Sequence, residues 1–175
     1  MVFGTISEGS NPSGHTKFIK KDGNMAKRNR ARAIVMIDDK IVAMYREKDG
    51  RVYYTFPGGG MENTETEVEC VKREVLEEFG MIVEPIKKVY SYENEISVEH
   101  FYIAKHISGK FGSGEGEEYQ PDRNKGIYIP KLIDIKEIPN LPLMPPEIAK
   151  AFFEDYTKNG SDIRNDVLVI KANLH

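Results

Sequence analysis

Between Gly59 and Met81 the chain reads GGMENTETEVECVKREVLEEFGM. Within that run Gly59, Glu65, Arg73, Glu74, Val75, Glu77, Glu78, Gly80 and Met81 stand at the spacing G-x5-E-x7-R-E-U-x-E-E-x-G-U, with U aliphatic. Multiplying ordinary residue frequencies over these fixed positions puts a chance match below about 1 in 10^7. At 3.6 residues per turn each step rotates by about 100°. Glu78 therefore lies about 40° to one side of Glu74, and Glu77 about 60° to the other. Three carboxylates share one side of a helix that directly follows a glycine bend. Like charges this close raise each other's pKa unless a cation sits between them. Hard oxygen donors with no His or thiolate cluster favour Mg²⁺ or Mn²⁺ over zinc.

The flanks fit the same site. Arg51 to Phe56 reads as a strand that Pro57 ends, and Gly58-Gly59-Gly60 allows a tight bend and a close approach to a ligand. Asn63 or Thr64 is expected to cap the helix, with Glu65 and Glu67 in its first turn. Val68, Val71, Val75 and Phe79 form the arc expected to enter the core. Cys70 falls near the carboxylate side, where a small side chain leaves room for ions or substrate. Arg73 stands beside the stripe, able to hold Glu65 or a ligating glutamate by a bidentate pair. Gly80 should stop the helix in the left-handed conformation. An acidic ExxEE face alone is usually a solvated stripe. Loop, cap, arginine, glutamates and terminal glycine together make a metal site the better reading.

This segment resembles the signature box of the Nudix hydrolases, and Tyr54-Thr55-Phe56-Pro57-Gly58-Gly59-Gly60 resembles the strand and loop that precede it. Met81 stands where the family usually has Ile, Leu or Val. The box covers residues 59–81, and a weaker likeness in strand and helix order runs from about Lys27 to Tyr156. The resemblance implies an α/β fold, a mixed β-sheet sandwiched between α-helices (α/β/α). It implies hydrolysis of a nucleoside diphosphate linked to another moiety, with Mg²⁺ required and Mn²⁺ able to substitute. By the match, Glu74 and Glu78 look like metal ligands, Glu77 like a third ligand or a partner through water, and the Gly58 carbonyl like a further one. Gly59, Glu65, Arg73 and Gly80 look structural. Glu77, Glu78 or a glutamate from a downstream loop is expected to serve as general base.

That loop is Lys110 to Lys125, rich in Gly, Ser and acidic residues. It lies between strand-like runs at Val98 to Ile107 and Ile127 to Ile135, and Glu118 or Glu117 is its candidate carboxylate. A long loop inside a compact domain is functional or disordered. Arg28, Arg30 and Arg32 alternate along a strand and so point to one face, where they could meet phosphates or a base. Arg32, deeper in the strand, is the expected ligand, and Arg28 is expected on a solvated face. Tyr54 and Phe56 flank the glycine loop as candidates for stacking on a base, with core packing equally open to Phe56. His15, His100, His106 and His175 show no metal spacing and read as structural or surface residues.

The remaining strands are expected at Ala31 to Ile37, Lys40 to Arg46, Val83 to Tyr92 and Val167 to Ile170, with a turn at Asp38-Asp39. Pro145-Pro146 opens a helix with Ile148, Ala149, Phe152, Phe153 and Tyr156 on one face, ending at Asn159-Gly160. Residues 1–24 are polar and read as a flexible or peripheral extension to one domain over residues 25–175. A net charge of −3 gives no general attraction to nucleic-acid polymers or anionic membranes, so a polymeric substrate is not suggested, and the partner the resemblance implies is a small-molecule nucleotide. The lone cysteine excludes an internal disulfide framework, and no secretory or membrane-spanning run stands out, so the cytoplasm is the expected compartment. A homodimer is a family-level expectation. No substrate hallmark follows the box at Glu95-Ile96-Ser97-Val98, and a modified nucleoside triphosphate leads. ADP-ribose or nucleotide sugars, and a nucleotide-sensing domain without turnover, are the alternatives.

Overall fold

The computed structural model describes residues 26–119 and 126–172. The expectation for residues 1–24 lies outside them, as do those for His15 and His175. Among the described residues the chain forms β1 (Arg28–Ile37), β2 (Lys40–Lys48), β3 (Arg51–Thr55), β4 (Gly58–Gly60), α1 (Glu67–Phe79), β5 (Met81–Glu93) and β6 (Ser97–Gly109). It continues with β7 (Ile127–Asp134), β8 (Leu143–Met144), α2 (Pro146–Asn159) and β9 (Leu168–Lys171).

The sheet runs β8-β3-β2-β1-β6-β5-β9, with β4 paired to β1 and β7 paired to β2. The β1–β6 pair is parallel, the β1–β2 and β1–β4 pairs antiparallel. The sheet is therefore mixed, as the resemblance implied. Alternation along β1 sends Ala31, Ala33 and Val35 into one core with Cys70, Val71, Val75 and Phe79 of α1. Ile34 enters the other, with Ile148, Ala149 and Phe152 of α2. One helix covers each face, which is the expected α/β/α sandwich.

Three local expectations change. First, β1 begins at Arg28 rather than Ala31, because backbone pairing to Ser97 and its successors in β6 makes even the basic end part of the sheet. Second, α1 is capped by Thr66, not by Asn63 or Thr64. The Thr66 hydroxyl accepts from the Glu69 amide while the Glu69 carboxylate accepts from the Thr66 amide, a reciprocal capping box. Glu67 and Glu69 thus occupy the first turn, and Glu65 stands outside the helix. Third, Val68 is exposed although it shares the arc of Val71 and Val75. It lies in the first turn, ahead of the first buried residue, Cys70. Gly80 ends the helix at φ 70° and ψ 17°, and its amide donates to the Leu76 carbonyl.

Candidate active site

The register of β1 puts the glycine bend against the helix. Arg30, Ala31 and Arg32 pair with Gly60, Gly59 and Gly58 respectively. A methyl group on Gly59 would stand 2.4 Å from Glu74 Oε1, so only glycine lets the carboxylate lie against this backbone. The Gly58 amide donates to Glu78 Oε2 at 2.9 Å. Glu74 and Glu78, one turn apart on α1, thereby meet two consecutive glycines. Glu77 is the outermost, with 49% of its side chain exposed.

Arg73 organises these carboxylates. Its Nε and Nη2 donate to the two oxygens of Glu65 at 2.7 and 2.9 Å, the bidentate pair anticipated from sequence. Nη1 donates to Glu74 Oε1 at 2.9 Å and to Glu77 Oε2 at 3.2 Å. Nη2 also reaches the Gly60 carbonyl at 3.1 Å, tying helix and bend together. The hydrogen bonds from Arg73 hold Glu65 below its ordinary pKa, against the effect of partial burial. Cys70 does not leave room for a ligand. It is fully buried, its thiol lies 3.8 and 3.6 Å from the Gly59 and Gly60 carbonyls, and burial beside Glu65 and Glu74 pushes its pKa up to about 12. It is a neutral packing group under the bend.

On the opposite face of the sheet, Arg32 takes a different role from the one expected. It is 8% exposed and donates to Glu99, to the Phe56 carbonyl at 2.9 Å and to the Gly58 carbonyl at 3.2 Å. Its guanidinium is committed to shaping the backbone around Pro57 rather than offered to substrate. The Gly58 carbonyl, a candidate metal ligand, is thus positioned by Arg32. Phe56 is 1% exposed and meets Phe101 edge-on at 5.6 Å, so it packs in the core and offers no face to a base. Tyr54 is half-buried, edge-on to Tyr45 at 5.6 Å, and alone of these three keeps appreciable exposed surface.

Glu99 was not selected from the sequence. It shares the inward parity of Phe101 and Ile103 in β6, and a carboxylate on an apolar strand face was the one available signal. Burial opposes its ionisation, but the charges of Arg32 and Arg30 and the hydrogen bonds of Arg32 and Ser97 outweigh it, leaving its pKa lowered. His100 is half-buried 3.5 Å from Glu67, and His106 contacts the Ser108 carbonyl at 2.7 Å.

The described part of the acidic loop, residues 110–119, docks on the end of α1, and the expectation for residues 120–125 lies outside the described residues. The Gly112 and Gly116 amides donate to the Phe79 and Glu77 carbonyls at 3.0 and 2.9 Å, and the Tyr119 hydroxyl donates to the Glu78 carbonyl at 2.5 Å. Glu117 and Glu118 belong to the 3-10 turn Glu117–Tyr119. The loop therefore reaches the helix turn that carries Glu77 and Glu78.

Among the described residues, no three His, Cys, Asp or Glu side chains already converge on one cation position. The donor chemistry nevertheless fits a hard divalent ion. All donors are oxygens, Gly59 holds Glu74 where a Cβ would stand, and one guanidinium nitrogen already bridges Glu74 and Glu77 as a cation would. Glu74, Glu77, Glu78 and the Gly58 carbonyl are the groups that could hold it.

A protein-family model described as the NUDIX domain matches residues 27–155. No curated protein matches the chain. A NUDIX hydrolase structure from Nitrosomonas europaea superposes with a TM-score of 0.64 at 20% identity, covering 92% of each chain. An ADP-ribose pyrophosphatase from Streptococcus suis gives 0.56 at 17% identity, covering 84% of this chain and 100% of that one. A MutT protein from Bacillus halodurans gives 0.51 at 23% identity, covering 72% and 82%. With the box intact on the helix, the glycine bend packed against it and the family model spanning most of the fold, the chain belongs to the Nudix family of hydrolases.

Proposed function

We propose that this Nudix hydrolase is a Mg²⁺-dependent nucleotide pyrophosphohydrolase, with Mn²⁺ able to substitute, acting on a small nucleoside triphosphate, in particular a modified one. The observation that carries the reading is the seating of Glu74 and Glu78 on the Gly58-Gly59 bend, with Arg73 orienting Glu74 and Glu77. Bound there, a divalent ion supplies neutralisation of the diphosphate charge and a water of lowered pKa. Glu74, Glu78 and the Gly58 carbonyl would hold the ion, with Glu77 as a third ligand or a partner through water. Water attacks one phosphorus, the anhydride P–O bond breaks, and the phosphate-bearing group leaves. The proton lost by the water passes to Glu77, Glu78 or Glu118. Tyr54 is the remaining aromatic candidate for contact with the base.

The net charge of −3 supports a small-molecule substrate rather than a polymer. No helix among the described residues is long and apolar enough to cross a membrane. We assign the protein to the cytoplasm, as one domain over residues 25–175 that forms a homodimer measurable by sizing in solution. ADP-ribose or a nucleotide sugar is the second substrate reading, since the solved relatives carry both MutT and ADP-ribose pyrophosphatase names. A sensor without turnover is disfavoured by the retention of every box glutamate, Glu65, Glu74, Glu77 and Glu78.

A screen of nucleotides with Mg²⁺, reading released phosphate or pyrophosphate, tests the proposal. Fastest turnover of a triphosphate is expected. Turnover of ADP-ribose far above any triphosphate would reverse the ranking, and tight binding without hydrolysis would establish the sensor. Glu78→Gln should lower kcat by at least about 10^3-fold with the fold retained. A full-speed variant would remove Glu78 from the chemistry.

A further inference from the structure

Three arginines alternate along β1, and only one of them is left both partly buried and incompletely satisfied. Arg32 is consumed by Glu99 and the bend carbonyls. Arg28 lies on the exposed end of the strand. Arg30, between them, has a buried Nε that meets no hydrogen-bond partner among the described residues, while 32% of its side chain stays exposed.

Glu99 and Glu74 are the carboxylates whose charges act on Arg30, with Arg32 and Arg28 acting against them. Across the sheet Arg30 stands opposite Glu99 in β6 and Gly60 in β4. Glu99 Oε2 is 3.9 Å from Nε, and that same oxygen is already bonded to Arg32. Two guanidinium groups thus share the Glu99 carboxylate, and the buried Arg30 Nε is left without a hydrogen-bond acceptor. Burial, and next the charge of Arg32, press Arg30 toward losing its proton, while Glu99 and Glu74 oppose them. A structural arginine is normally found with its donors filled. An unfilled one in register with Gly60 of the bend, and near enough to Glu74 for their charges to interact, points to a ligand that reaches round the bend and completes it.

We infer that Arg30 is a substrate contact, donating to a phosphate oxygen of the bound nucleotide from beside the Gly58–Gly60 bend. This rests on the pyrophosphohydrolase reading above and adds a specificity-determining residue outside the box. The chemistry is that of an oxyanion meeting a planar cation whose hydrogen-bonding partner in the ion pair is already taken by Arg32. A neutral base or ribose hydroxyl would offer Nε an acceptor alone, whereas a phosphate oxygen brings an acceptor and a charge opposed to the Arg30–Arg32 pair. Filling the site therefore relieves the Arg30–Arg32 repulsion as well as making new bonds. The free protein should tolerate loss of Arg30 better than the complex does.

The test uses the full chain with Mg²⁺ and two probes, α,β-methylene-ADP, which cannot be hydrolysed at its P–C–P link, and inorganic pyrophosphate. Calorimetry on wild type, Arg30→Ala and Arg30→Lys gives the affinities, and thermal unfolding gives the stability of each. We expect Arg30→Ala to weaken both probes by about tenfold or more, the scale of a charged hydrogen bond. Arg30→Lys should recover part of the loss, and neither variant should melt below wild type. Unchanged binding in Arg30→Ala, or wild-type protein that binds neither probe, would overturn the inference. So would weakening of the nucleotide analogue alone, which would move the contact to base or ribose. Lowered stability with no rescue by lysine would make Arg30 structural and likewise end it. Nucleotide turnover by wild type is scored separately. Absence of hydrolysis with Arg30-dependent binding sinks the pyrophosphohydrolase reading alone, whereas hydrolysis with Arg30-independent binding sinks this one alone.

Discussion

Glu99 sets the position of the glycine bend without touching it. The carboxylate fixes Arg32, and Arg32 in turn holds the Phe56 and Gly58 carbonyls. Removing one partner of a buried ion pair strands the other, so Glu99→Gln should destabilise the protein by about 3–5 kcal/mol, read by denaturant unfolding. A cost under about 1 kcal/mol would show that Arg32 finds other acceptors. On the other side of the bend, Gly59→Ala would drive a methyl group into Glu74 Oε1. Misplacing a working carboxylate by about 1 Å costs about 10^2-fold in rate. The alanine variant should therefore keep its circular dichroism spectrum and lose about that much kcat/KM. Wild-type activity in Gly59→Ala would show that Glu74 can move without consequence.

Within α1, stability and chemistry lie on different faces. Val71, Val75 and Phe79 bury one arc, Cys70 fills the space beneath the bend, and Glu74, Glu77 and Glu78 lie along the remainder. The N-terminal turn is anchored twice. Thr66 and Glu69 close the capping box, and Glu67 accepts from Tyr102 at 2.5 Å and pairs with Lys88 at 2.8 Å. Thr66→Ala should cost about 1 kcal/mol of stability, and Phe79→Ala about 3–5 kcal/mol. Both are measurable by chemical unfolding, and equal costs would mean that the helix is held by its cap rather than its packing. α2 is tied to the sheet by the Tyr90 hydroxyl, which donates to Asp155 at 2.7 Å. Burial, together with that carboxylate, pushes the Tyr90 pKa well up.

For the whole molecule, these paired carboxylates set the acid limit of stability. Glu65, Glu67 and Glu99 all have folded pKa values below the ordinary 4.5. The Arg73 hydrogen bonds are the main cause for Glu65. For Glu67 and Glu99 burial is the largest influence and acts the other way, but Lys88 and Tyr102, and Arg32 and Arg30, outweigh it. A depressed folded pKa contributes stability above the unfolded value and loses it as pH falls through the folded one. The melting temperature should therefore hold above about pH 5 and fall progressively below about pH 4.5. Glu99→Gln should make that fall shallower, and an unchanged acid slope would exclude the Arg32–Glu99 pair as a contributor.

What could be read directly from the chain is what a few neighbouring residues decide among themselves. Carboxylates at i, i+3 and i+4, an arginine beside them and a terminal glycine determine their own geometry within one helix, so the box, its Glu65–Arg73 pair and its left-handed stop were legible. The sandwich followed from hydrophobic periodicity, which needs no knowledge of partners. The helix start was misjudged because Asn63, Thr64 and Thr66 are all acceptable caps, and only the bend preceding them decides between them. That the arginine face of β1 could meet phosphates was legible, but the division of roles between Arg30 and Arg32 was out of reach for a different reason. Arg32 and Glu99 are 67 residues apart, and they meet only because β1 and β6 pair in parallel at one register. Burial and charge sharing across strands belong to that pairing, so the tertiary structure alone decided which arginine braces the bend and which one faces it.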